Sequence, residues 1–377
     1  MAKVLMKGNE AFAEACLRAG CRFFSGYPIT PQTEILEYMS WRMAEVGGQF
    51  VQTESELAGV NMLFGAASCG ARALSTSAGP GFSLKQEGIS YLCGYDVPAV
   101  IADVMRIGSG LGALYNITGY LSDILSYVNM VRGGPGLGSI QPAQSDYYQS
   151  TRGGGHGDYR TIVLAPASGQ ENADLAYIAF DLAEKYTHPV IVGSDAAIGQ
   201  MVEPVELPEM IEHDIDTYDW AIRGRRAGEK QRIVMNTYYK IGPDKYITYL
   251  RDKYKAITEN EQRWESVNTE DAEIVLVAYG ISSRVSKSAV KMARAQGMKL
   301  GLIRPITLWP FPQKAFDALG EQVKGFLTVE MNILGQMADD VILACGNRRP
   351  VESYGEFSEV PSEKKILDIA AEMLKKH

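Results

Sequence analysis

From residue 3 to about 195, short apolar runs alternate with amphipathic stretches. "CRFFSG", "GQFVQT", "ARALSTS", "VPAVIADVM", "TIVLAP" and "HPVIVGS" predict short buried strands. Between the early runs, apolar side chains recur at helical spacing, as at Ile35, Leu36, Met39, Met43 and Val46. Strands that are apolar throughout and alternate with helices predict a doubly wound parallel sheet covered on both faces, an α/β fold. In such sheets ligands bind at the carboxyl ends of the strands, where loops enter helix N-termini.

The pattern changes after residue 200. "VEPVELPEM" is proline-punctuated and extended, and "RDKYKAITENEQRWESV" reads as a charged helix, so this stretch is expected to be a crossing linker. Alternation then resumes through "AEIVLVAYG", "SSRVSKSAVKMARAQG", "KLGLIRP", "FPQKAFDALGEQV", "KGFLTVEMN" and "GQMADDVILAC". These predict a second, smaller α/β unit of about a hundred residues. The expected organisation is a first domain over 1–200, a linker over 201–268 and a second domain over 269–377.

Composition narrows the function classes. The 377 residues are 46% apolar and 22% charged, as in ordinary globular chains. A net charge of -8 argues against a general nucleic-acid surface or an anionic-membrane surface. No apolar run approaches the roughly 18–20 residues needed to cross a bilayer. The start, "MAKVLMKGNEAF", lacks the apolar stretch of a secretory leader, so a cytoplasmic location is expected. The 5 cysteines are scattered without a C-x-x-C pair, and the 4 histidines show no ligand spacing. Neither a metal site nor an iron–sulfur cluster is expected on this chain alone.

The candidate chemistry lies at strand-to-helix corners. In "SGYPITPQT", Thr30 stands between two prolines that restrict its backbone. Pro31 is expected to open a helix, leaving Thr30 as its N-cap, as a ligand contact, or as both. In "QTESELAGVNMLFGAASCGARA", Ser55 is the expected N-cap and Glu56 the first helical residue. A carboxylate there gains about 0.3–1 kcal/mol from the helix dipole, a structural reading that stands beside a chemical one. The small residues behind it, Ala58, Gly59, Gly65, Ala66, Ala67 and Ser68, predict close packing against a neighbour.

"LSTSAGPGFSLKQEG" ends a strand at Ser77 and turns through Gly79, Pro80 and Gly81. Two glycines there allow a ligand to approach the backbone, although a plain turn would also use them. Arg106 closes the strand "VIADVM", where its fork suits a carboxylate or phosphate, or a structural ion pair. "VMRIGSGLG" and "MVRGGPGLG" resemble one another, so Arg132 competes with Arg106. Residues 112–131 between them read as an insert. "STRGGGHGDYR" surrounds His156 with glycine, as a cofactor-facing or a surface loop. Neither a P-loop nor a G-x-G-x-x-G opening a helix is present, which weakens nucleotide-binding readings.

Taken in order, "GYPITP", "ESELAG", "TSAGPGFSL", "RGGPGLG…QSDY", "GLIRPITLWPFP" and "FLTVEMNILGQM" resemble the alpha subunit of the 2-oxoacid:ferredoxin oxidoreductases. "GGPGLG" and "GGGHGDY" are similar to the branched-chain (2-oxoisovalerate) type more than to the 2-oxoglutarate type. The resemblance implies a pyrimidine-side thiamine diphosphate domain followed by a transketolase C-terminal-like domain. It implies that thiamine diphosphate is shared with a beta subunit, which would carry the diphosphate and Mg²⁺. Iron–sulfur clusters would lie on partner chains, among them gamma and ferredoxin-type subunits, and ferredoxin would accept the electrons.

The resemblance further implies conversion of a 2-oxoacid and CoA to acyl-CoA and CO₂, in branched-chain amino acid catabolism under anaerobic metabolism. Glu56 matches the glutamate that hydrogen-bonds the aminopyrimidine ring. Thr30 matches the loop threonine near the cofactor and the substrate carboxylate. Ser77, Gly79, Pro80 and Gly81 at the turn are expected to bind the cofactor, and Arg106 matches the substrate arginine, with Arg132 in competition. The family pattern has one arginine–glycine loop where this chain has two. Pyruvate or 2-oxoglutarate as substrate, and a non-catalytic assembly role, remain alternatives at this point.

Overall fold

The computed structural model describes residues 3–107, 140–214, 218–222, 224, 232–356 and 359–376. It opens with β1 (Val4–Lys7). Then come β2 (Phe23–Gly26), β3 (Gln49–Gln52), β4 (Ala73–Ser77), β5 (Ala99–Met105), β6 (Ile162–Leu164) and β7 (Pro189–Asp195), one in each of the apolar runs. β8 (Val202–Val205) and β9 (Trp264–Val267) follow. The C-terminal part supplies β10 (Ile274–Val277), β11 (Leu300–Pro305), β12 (Thr307–Trp309), β13 (Gly325–Glu330) and β14 (Val351–Gly355).

The larger sheet has the order β12-β6-β7-β5-β4-β2-β3, with β2 to β7 parallel and β12 antiparallel. Its direction of growth reverses beside β2, because the chain first adds β3 on one side and then returns to add β4 and β5 on the other. Such a reversal opens a crevice at the carboxyl ends of the strands. Alternate residues of β5 explain how both faces are covered. Val100, Ala102 and Val104 meet the helices Gly8–Arg18, Thr33–Glu45 and Gly169–Tyr186. Ala99, Ile101 and Met105 join the core that holds the helices Glu56–Ser68 and Pro80–Gly94. Helix Glu56–Ser68 packs against helix Pro80–Gly94 because Gly88 makes room for Val60; of the small residues expected to allow close packing, Gly59 is buried while Gly65 is exposed with nothing near it.

The second sheet has the order β14-β13-β10-β11-β9, parallel except for β9. The stretch read as a linker contributes to both sheets' surroundings. β8 pairs with β1, and β9 forms an edge of the second sheet. The charged helix expected to reach Val267 ends at Asn260, because residues 264–267 extend to pair with β11. Asp96 fastens this stretch to the first unit by accepting from Tyr249 Oη at 2.9 Å and Lys253 Nζ at 2.7 Å. β12 in turn extends the first sheet from the C-terminal part of the chain. No helix among the described residues is long and apolar enough to cross a membrane.

Candidate active site

The first corner departs from expectation. The helix after β2 begins at Thr33, so Pro31 does not open it and Thr30 does not cap it. The Thr30–Pro31 peptide is cis. Gln32 explains the displaced start: its buried side chain donates from Nε2 to Tyr27 O at 3.0 Å and accepts from Thr76 Oγ1 at 2.6 Å. Asn9 Nδ2 also donates to Pro31 O at 2.9 Å. These bonds tie the loop to β4 and leave Thr30 exposed above the crevice.

The second corner matches its sequence. Ser55 Oγ accepts from Ala58 N at 3.2 Å, and Glu56 is the first residue of the helix. Its side chain is 6% exposed. The Glu56 carbonyl accepts from Lys85 Nζ, while its carboxylate has no hydrogen-bond donor among the described residues.

Against that carboxylate lies the third corner. A Cβ on Gly81 would collide with Glu56 Oε1 and Ser77 Oγ, so glycine alone permits this approach. The Ser77 hydroxyl is buried without a partner among the described residues. Gly79 has φ +47°, and a Cβ there would lie 3.2 Å from Arg106 Cγ. Pro80 stands in the first turn of its helix, where no backbone donor is needed.

Arg106 follows β5 directly and is held by a bridge to Pro142 and by Ile107 N donating to Gln141 O at 3.0 Å. Its Nη1 donates to Thr30 O at 2.8 Å. Burial pushes the guanidinium down, while Asp146 and Glu56 draw it up. Arg132 and the insert lie outside the described residues. The structure therefore brings Thr30, Glu56, Ser77, Gly79, Pro80, Gly81 and Arg106 to one sheet edge, at the ends of four neighbouring strands.

Three buried groups here were missed by sequence reasoning. Lys85 is fully buried beneath Glu56, on the same helical stripe as Gly81, Ile89 and Leu92; an ion inside an apolar stripe was the available signal. Asp103 interrupts the apolar strand β5, and Asp146 lies beyond the insert. Burial and then the Asp146 carboxyl push Asp103 well above the usual carboxylate range. Burial pushes Asp146 up to about 6 against the pull of Gln149 and Arg106.

The glycine loop around His156 lies along helix Pro80–Gly94. Gly154 N donates to Gln86 Oε1 at 3.0 Å, and Gly155 N to Tyr159 Oη at 2.8 Å. His156 is exposed in an open cleft with Leu57, Ser83 and Leu84. Four of the cysteines are buried and Cys69 is exposed. Among the described residues no cluster of His, Cys, Asp or Glu could hold a metal ion.

The Glu56 carboxylate without a donor among the described residues, the unpartnered Ser77 hydroxyl and the glycine-lined approach suit a flat nitrogen heterocycle with a protonated ring nitrogen. Thiamine diphosphate fits that description. The family model described as pyruvate flavodoxin/ferredoxin oxidoreductase, thiamine diphosphate-binding, matches residues 14–126 and 113–268. The model for pyruvate:ferredoxin oxidoreductase core domain II matches residues 272–359.

The chain is 49% identical to ketoisovalerate oxidoreductase subunit VorB of Methanothermobacter marburgensis over 92% of this chain and 91% of that one. It is 34% identical to 2-oxoglutarate synthase subunit KorA of Methanocaldococcus jannaschii over 90% and 91%. A solved structure of the 2-oxoglutarate:ferredoxin oxidoreductase from Magnetococcus marinus shares the fold, with a TM-score of 0.78 at 22% identity. The match covers 99% of this chain but 65% of that one, just under two-thirds of its length. The chain belongs to the 2-oxoacid:ferredoxin oxidoreductase family, as an alpha-type subunit carrying its thiamine diphosphate-binding domain and core domain II.

Proposed function

We propose that this chain forms the pyrimidine side of a thiamine diphosphate site in a branched-chain 2-oxoacid:ferredoxin oxidoreductase. The observation that carries the reading is Glu56: buried at a helix N-terminus, its carboxylate without a donor among the described residues and lying against Gly81. When bound, thiamine diphosphate supplies the carbanion chemistry that decarboxylates a 2-oxoacid. The residues of this chain bind and orient. Glu56 would hold a proton at the pyrimidine ring nitrogen, and Ser77 Oγ would gain a polar partner. Gly79 and Gly81 would let the ring lie against backbone.

Arg106 would bind the substrate carboxylate, with Thr30 held beside it through their hydrogen bond. Arg132 keeps the "GGPGLG" context and stands as the competing arginine. Diphosphate, Mg²⁺ and iron–sulfur clusters are assigned to partner subunits, with CoA and ferredoxin as the further reactants. The preference for 2-oxoisovalerate rests on 49% identity to a ketoisovalerate oxidoreductase subunit against 34% to a 2-oxoglutarate synthase subunit.

The test is anaerobic ferredoxin reduction by the assembled complex, with CoA and each of 2-oxoisovalerate, 2-oxoglutarate and pyruvate. Fastest turnover with 2-oxoisovalerate is expected, and preference for either other acid would correct the substrate. Glu56→Gln in the same complex should lower kcat by about 100-fold or more, the scale of a lost acid–base group. Near-normal turnover would remove Glu56 from the chemistry and point to an assembly role.

A further inference from the structure

Lys85 is the one fully buried lysine among the described residues, and it forms no ion pair there. Its Nζ donates to Ser75 Oγ at 2.8 Å and to Glu56 O at 3.3 Å. Ser75 Oγ passes the chain of bonds to Ser25 O at 2.6 Å, and Ser25 Oγ donates to Gly59 O at 2.7 Å. These groups link β2, β4 and the two helices that open on the crevice. A Cβ on Gly59 would stand 3.2 Å from Nζ, so the glycine keeps room for the ammonium.

Burying an ammonium without a paired carboxylate is costly, and a neutral side chain of the same length would avoid that cost. A neutral donor could satisfy Ser75 and the Glu56 carbonyl equally well. What only the ammonium adds is charge, and the one titratable group acting on it is Glu56. The other groups close to it, Ser25, Thr53, Ser75 and Gly59, do not titrate in the physiological range.

We infer that Lys85 is a positioning residue for Glu56, fixing the first turn of its helix from below and adding, beside Arg106, a positive charge near its carboxylate. This deepens the thiamine diphosphate reading and rests on it. Burial pushes the Lys85 ammonium down to about 8, while Glu56 draws it up. The charge is therefore lost within an accessible pH range, and cofactor affinity should follow it.

The experiment uses the assembled complex freed of cofactor. Thiamine diphosphate with Mg²⁺ is titrated calorimetrically between about pH 6.5 and pH 9.5, a window that brackets the lysine's loss of charge. The wild-type complex, Lys85→Met, Lys85→Gln and Glu56→Gln are compared. Lys85→Gln keeps a donor without charge, and Lys85→Met keeps neither.

Wild-type affinity should fall as pH rises through about 8. Both lysine variants should bind about tenfold more weakly at neutral pH, the scale of one lost charge interaction, with that fall abolished. A lysine variant with wild-type affinity and an unchanged fall would overturn the inference. Failure of both lysine variants to assemble would also overturn it, by making Lys85 a requirement of the fold. If Glu56→Gln weakens binding while the lysine variants do not, only the role of Lys85 is lost. If Glu56→Gln leaves binding unchanged, the cofactor reading itself fails.

Discussion

Arg106 Nη1 donates to the carbonyl oxygen of Thr30 at 2.8 Å, joining the end of β5 to the loop after β2. β4 lies between those strands, so the bond spans the turn at Gly79–Gly81. A guanidinium bonded to a backbone oxygen is held in one orientation. On the function proposed above, that orientation would suit the carboxylate of a 2-oxoacid.

Arg106→Lys tests this geometry. Lysine keeps the charge but cannot serve Thr30 and a substrate carboxylate with one planar fork. Steady-state kinetics of the assembled complex should show KM for the 2-oxoacid raised by about 10- to 100-fold, the loss of a bidentate contact. An unchanged KM would transfer the substrate role to Arg132.

Gly81 and Gly65 make a matched pair. Gly81→Ala drives a methyl into Glu56 and Ser77, and should destabilise the subunit by about 1–3 kcal/mol while abolishing cofactor binding. Gly65 lies in the interior of helix Glu56–Ser68 with nothing near its added Cβ. Gly65→Ala should therefore stabilise the isolated subunit by about 0.5–1 kcal/mol through helix propensity. Thermal melts of both variants decide the matter.

The buried acids Asp103 and Asp146 make stability depend on pH. Their carboxyls sit above the ordinary aspartate range, so the folded chain binds more protons than the unfolded one. Their favourable contribution is complete below that range and is lost as pH rises past about 6, where Asp146 ionises. Asp103→Asn removes the need to keep a buried carboxyl protonated beside Asp146. It should raise stability at neutral pH on the order of 1–3 kcal/mol, with a smaller effect near pH 4. Denaturant midpoints at the two pH values would show whether the gain is confined to the higher one.

Asp195 caps two helices at once. Its Oδ1 accepts from Ile198 N at 3.0 Å and its Oδ2 from Ile281 N at 2.7 Å, the second belonging to the C-terminal unit. Gly280, with φ +55°, makes room for the carboxylate. Asp195→Ala should cost about 2–4 kcal/mol, two caps and two orphaned amides. Hydrogen exchange should show Ile198 and Ile281 losing protection together.

The sequence by itself determined what depends on near neighbours along the chain. Buried parallel strands must be apolar on both faces, so β4, β5, β6 and β7 stand out as runs such as "VPAVIADVM", whereas β3, expected to be buried, is an edge strand with Gln49 and Gln52 exposed. Capping is a bond across three residues, so Ser55 and Glu56 were placed correctly from "TESELAG". Strand ends and turns then put Ser77, Gly79, Gly81 and Arg106 at candidate ligand corners.

Tertiary structure decided what depends on residues far apart in the chain. The helix after β2 starts at Thr33 because Gln32 is claimed by Thr76, 44 positions away. β9 and β12 are strands because β11 and β6 pair with them, not because three or four residues prefer extension. In the sequence Lys85 is one polar residue on a helix; folding buries it under Glu56 with Ser75 as its hydrogen-bond partner. Local propensity is written in adjacent residues, whereas burial belongs to a position in the packed molecule and exists only once the chain has closed around it.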